Sequence, residues 1–157
     1  MRTFLFPALL VLSLISSLAG AQSVGGLPPG TQQVDVRAGF DETVSRLEKA
    51  VAANGMGVVA QASASRGAAA RGVKISGNLV LMVFRNDYAV RMLAASIPAG
   101  IEAPIRIYVT EKDSAHTVIT WRLPSAVFYA YANPEINRLA SELDPIFEKI
   151  VRDASGR

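Results

Sequence analysis

The seven residues Asn78–Phe84, NLVLMVF, constrain this chain more than any other stretch. Six consecutive apolar side chains without a helical period read as a central strand buried on both faces. Such a strand needs neighbouring strands and apolar helix faces to cover it, and the flanking sequence supplies both. In GFDETVSRLEKAVAANG, Phe40, Val44, Leu47 and Val51 fall on one face of a 3.6-residue period. Asp41 and Glu42 sit in the first turn, where the helix dipole favours anions, and Asn54-Gly55 supplies a stop.

The remaining elements follow from the same signals. Val34 and Val36 alternate with polar residues as a short strand, and MGVVAQASA reads as another. The Ala-rich SRGAAARG predicts a short helix, and NDYAVRMLAASIPAG a helix that stops before Pro98. APIRIYVTEK and HTVITWRLP alternate around a polar turn, Lys112 to His116, and predict a β-hairpin. Asn133 caps a last helix with Pro134 at its first position and Ile136, Leu139, Leu143, Ile146, Phe147 and Ile150 on one face. Asp144-Pro145 kinks or restarts it. The order β-α-β-(α)-β-α-β-β-α predicts a single two-layer α+β domain: a mixed sheet of about five strands with helices on one face.

The N-terminus carries a different message. Arg2, an apolar run from Phe4 to Ile15 and the small triplet Ala19-Gly20-Ala21 predict a secretory signal peptide over residues 1–21, cut before Gln22. The alternative, an uncleaved anchor, calls for ~20 apolar residues, more than this run provides. Residues 22–32, with VGGLPPG, read as a flexible leader, and 33–155 as the domain. The expected setting is periplasmic or secreted, with no stable membrane insertion after cleavage. The chain of 157 residues has no cysteine, so this domain holds together by its core, without disulfides.

Composition excludes several chemistries. Without cysteine there is no thiol nucleophile, iron–sulfur cluster, Cys-ligated metal or covalent c-type haem. His116 is the only histidine, and it falls in the hairpin turn with no ligand spacing around it, so neither a metal nor a cofactor is expected. No Ser lies in a G-x-S-x-G. The formal charge of +3, which drops to +2 without Arg2, is too mild for nucleic acid. It is unevenly spread: Arg66, Arg71, Lys74, Arg85, Arg91 and Arg106 face only Asp87 and Glu102 between Gln61 and Thr110.

Two candidate sites remain. The first is the turn Arg85-Asn86-Asp87 with Arg91 beyond it, where a helix N-terminus and guanidinium groups suit an anion. The plainer reading makes Asn86 or Asp87 a helix cap. The second is Trp121 with Phe128, Tyr129 and Tyr131, which either line an apolar pocket or a subunit interface or simply pack the core. The functional expectation is a non-enzymatic module that binds a small anionic or apolar ligand or a partner protein. The alternatives are an enzyme built on carboxylates or arginines, and a homodimer joined through the aromatic segment.

The string FDETVSRLEKAVAANGMGVVA, then VLMVFRND, EAPIRIYV and ITWRLP, in this order and spacing, resembles the DUF302 family from Phe40 to the final helix. Thr43-Val44 matches that family's Thr-Val helix start. Phe84 and Asn86 match its F-G-N-P turn, with Arg85 for Gly and Asp87 for Pro. Pro104 matches the Leu-Pro before the fourth strand, with Ala103 for Leu. Trp121 and Pro124 match the aromatic–x–x–Pro that ends the hairpin, with Trp for Tyr. Ser63 and Ala64 stand where many members carry Asp-His, and Val90 and Arg91 where many carry Gly-Thr. The resemblance implies the family's α+β fold and no reaction.

Overall fold

The inner face of the strand Asn78–Phe84 organises the core. Residues 26–157 are described by the structure, a computed structural model. The strands are β1 Thr31–Val36, β2 Gly57–Ala62, β3 Asn78–Phe84, β4 Ile105–Asp113 and β5 His116–Arg122. The helices are α1 Phe40–Ala53, α2 Ala64–Ala69, α3 Asn86–Ala95, α4 Pro124–Phe128 and α5 Pro134–Ser155, with 3-10 turns at Ile97–Glu102 and Tyr129–Tyr131. The α+β fold stands as the sequence predicts. The signal-peptide reading lies outside the described residues. The leader reading overlaps them, and its last two residues, Thr31 and Gln32, already pair with Arg122 and Trp121 in β1.

The five strands lie in the order β1-β5-β4-β3-β2. Every neighbouring pair is antiparallel, a correction to the mixed sheet expected from interleaved helices. The reason lies in the connections. Helix α1 carries the chain from one edge strand to the other, so β1 and β2 never meet. Helix α3 and the 3-10 turn after it bring the chain back beside β3 in the opposite direction. Helix α3 ends at Ala95, ahead of Pro98 as expected, and the 3-10 turn that includes the proline begins after Ser96. Helix α5 runs unbroken through Pro145.

Helices α1 and α5 pack on one face of the sheet. Leu79, Leu81 and Val83 of β3 and Ile107 and Val109 of β4 are buried beneath them, with Leu47, Phe147 and Ile150 from above. Burial of each such side chain contributes about 1.5–3 kcal/mol. The intervening β3 residues, Val80, Met82 and Phe84, are only half-buried. Among the described residues the two long helices lie on one side, so this strand is not covered on both faces.

Candidate functional site

The strand-to-helix turn is engaged with itself. Arg85 donates to both carboxylate oxygens of Asp87, at 2.7 and 3.0 Å. Its guanidinium carbon also lies 4.3 Å from the centre of the Tyr88 ring. Arg91 makes a two-pronged pair with Glu142 of α5, both contacts at 2.8 Å. These bonds hold the carboxyls of Asp87 and Glu142 below their ordinary range. Asn86 is the first helical residue and Arg85 occupies the cap position, with no side-chain capping bond. The void under the turn, between Met56, Tyr88, Met92 and Phe128, measures about 30 Å³. That is room for little more than one water molecule.

The aromatic segment is dispersed. Phe128 is fully buried in the core. Tyr129 points outward with 78% of its surface exposed. Tyr131 donates its hydroxyl to Glu102 at 3.2 Å, and desolvation first, then the Glu102 charge, raises its pKa. Trp121 pairs with Ile107 on the helix-covered side of the sheet, and its indole N–H is buried without a partner. Of the seven predicted residues, Arg85 and Phe128 share the small void, while Trp121 borders a separate cleft.

That cleft, about 270 Å³, opens on the uncovered face of the sheet. The strand register builds it. One row runs Ala62, Val80, Tyr108, Thr120 and Gln33 across all five strands. The adjacent row begins Ala60, Met82 and Arg106 and ends with Arg122 and Thr31. Tyr108 opposes Thr120 and Ile107 opposes Trp121, so the next step of the ladder sets Arg106 beside Arg122. Both arginines line the cleft, as do Val80, Tyr108, Thr120 and Thr31. Val127 and Glu102 close one end and Leu27-Pro28 forms a wall.

Among the described residues, neither Arg106 nor Arg122 has a carboxylate oxygen within 4.0 Å. Arg122 donates to the carbonyls of Pro29 and Ala126, each at 3.3 Å, which fixes its position without neutralising it. Glu102 supplies the one carboxylate in the lining, against two guanidinium groups. The cleft thus brings two guanidinium groups and a single carboxylate into one lining.

The sequence reading missed Arg106, Arg122 and Tyr108 as site residues. A signal was available. The alternation of both hairpin strands sets Arg106 and Tyr108 on one face of β4 and Thr120 and Arg122 on one face of β5, while the register that opposes Tyr108 to Thr120 depends on the irregularity between Glu111 and Asp113. Among the described residues, no group of three or more His, Cys, Asp or Glu could hold a metal ion. His116 contacts Asp113 at the hairpin turn.

The profile of the family described as "Domain of unknown function DUF302" matches residues 32–154. A solved structure, "Crystal structure of uncharacterized conserved protein DUF302 from Bacillus stearothermophilus", superposes with a TM-score of 0.71. It is 22% identical in sequence, and the match covers 80% of this chain and 98% of that one. At that identity the likeness speaks for the fold alone. No curated protein matches.

Proposed function

The chain belongs to the DUF302 family, a domain of unknown function, and we propose that it is a non-enzymatic module that binds a small anionic ligand on the open face of its sheet. One observation carries this reading: Arg106 and Arg122 line the same cleft with no carboxylate within ion-pair reach among the described residues. Guanidinium groups present a rigid fork of donors that suits carboxylate and phosphate. The walls are mostly apolar, as in small-molecule sites generally. A binding role is favoured over catalysis because the lining pairs no nucleophile with a base.

Calorimetric titration with acetate, butanoate and inorganic phosphate at matched ionic strength tests the proposal. Saturable binding of at least one anion is expected, weakened roughly tenfold or more in Arg106→Gln, the scale of a lost hydrogen bond to a charged group. Binding that Arg106→Gln and Arg122→Gln both leave intact, or no binding at all, sinks it. The same proposal has the protein exported, on the strength of the Phe4–Ile15 run and the Ala19-Gly20-Ala21 triplet. N-terminal sequencing of the mature protein should begin at Gln22, and a chain that retains Met1 argues against export with cleavage.

A second reading, a homodimer, draws on a different surface. Ile97 and Ile101 of the 3-10 turn are 78% and 82% exposed, and Tyr129 also stands outward. Native mass spectrometry distinguishes a dimer from a monomer that retains a ligand.

A further inference from the structure

The cleft does not end at the arginines. Val80 and Tyr108 belong both to it and to a shallow depression that continues over Ala62, Ala64 and Asn78 toward the β2 edge. The two depressions thus form one trough running across the strands. Its two ends differ in chemistry. The β4–β5 end holds Arg106 and Arg122. The β3–β2 end is lined by Val80, Ala62 and Ala64, with Ser63 and Asn78 at its margin. From β5 to β2 the trough crosses three strand spacings, about 14 Å. Tyr108, 40% exposed, lies between the ends and offers its ring as floor.

We propose that the ligand is an anionic amphiphile, a medium-chain carboxylate or its like. Its charged group sits between Arg106 and Arg122, and its alkyl tail lies across Tyr108 and Val80 toward Ala62. This rests on the anion-binding reading above and adds the tail. A purely ionic ligand would leave the apolar end of the trough in water. A purely apolar one would leave the two guanidinium groups without an anionic partner. A monomeric amphiphile satisfies both ends at once, and a tail of eight to ten carbons is the length that about 14 Å accommodates.

The test is a chain-length series, butanoate, octanoate and decanoate, titrated below micelle formation, with 1-octanol as the neutral control. A methylene that is half-buried should tighten binding roughly twofold, so octanoate, with four more, should bind about fifteenfold more tightly than butanoate. Val80→Thr keeps the side chain's shape and suits a strand, but makes the floor polar. It should flatten the series while leaving butanoate unchanged. Ala62→Glu, at an exposed position on the edge strand, provides a second variant should Val80→Thr fail to fold. Equal affinity for butanoate and octanoate, with both weakened by Arg106→Gln, overturns the tail and leaves the anion site standing. Octanol binding as tightly as octanoate overturns the anion site and with it the amphiphile. Binding only to phosphatidylcholine vesicles containing phosphatidylglycerol, with no binding of monomeric octanoate, overturns the proposal in favour of a membrane surface.

Discussion

At the scale of single residues, similar side chains do different work according to burial and partners. Asn133 accepts from the backbone N–H groups of Glu135 and Ile136, at 2.9 and 3.2 Å, and so caps α5. Asn86 opens α3 without capping it. Asn133→Ala should therefore cost ~1 kcal/mol and lower the melting temperature by a few degrees, while Asn86→Ala should leave it nearly unchanged. Equal losses in thermal denaturation would show that Asn86 caps after all. Thr43 poses a sharper case. It is fully buried in α1 and its hydroxyl has no partner. An unsatisfied buried hydroxyl costs about 1–3 kcal/mol, so Thr43→Val should raise the melting temperature by several degrees. A fall would mean that the hydroxyl bonds to a trapped water. The capping role of Asn133 was legible because Asn-Pro is a local signal. The failure of Asn86 was not, because the boundary moved by one residue and capping depends on that single step.

Among the elements, periodicity carried most of the fold and stopped short of pairing. The helical stripes of α1 and α5 and the alternation of β4 and β5 were all visible, because each is a repeat within one segment. The antiparallel sense of the whole sheet was not, since it depends on where α1 and α3 deliver the chain. The run in β3 misled for a related reason. Continuous apolarity implies burial on two faces only if something covers both, and Val80 instead lines the open trough while Met82 is only half-buried. The aromatic segment shows how a dense local cluster disperses. Phe128 goes to the core and Tyr129 to the surface because α4 gives way to a 3-10 turn between them. Phe128→Ala should destabilise by about 3–5 kcal/mol in urea denaturation, whereas Tyr129→Ala should stay within about 0.5 kcal/mol. Comparable losses would place Tyr129 in an interface that the monomer does not contain.

Across the whole molecule, acid should unfold the domain through a small set of surface pairs. Asp87 and Glu142 are held below their ordinary values mainly by hydrogen bonds from Arg85 and Arg91. Asp153 is lowered first by Lys149 and then by Asn54, and Asp113 first by the Ala115 backbone N–H. With folded values below unfolded ones, these carboxylates stabilise the domain above the ordinary values, 3.8 for Asp and 4.5 for Glu. That contribution is lost as the pH falls through the folded values. The melting temperature should stay nearly level from about pH 7 to 5 and fall between about pH 4 and 3. Glu142→Gln should shrink that fall, and high salt should shrink it further because every pair is exposed. A melting temperature that drops already between about pH 7 and 5 would show that these carboxylates do not set the acid limit.

The order of strands has a consequence in time. Strand β1 is the first to leave the ribosome, yet its sole neighbour in the sheet is β5, completed at Arg122. A nascent chain that ends before His116 leaves β1 with nothing to pair and β4 with one bare edge. Helix α5, which covers the core, emerges later still. No early portion of this chain can close its own core, so folding waits until nearly all of the polypeptide is free. Chains stalled with Lys112 as the last residue outside the ribosome should be cut by protease throughout, and resistance should come only once α5 is out.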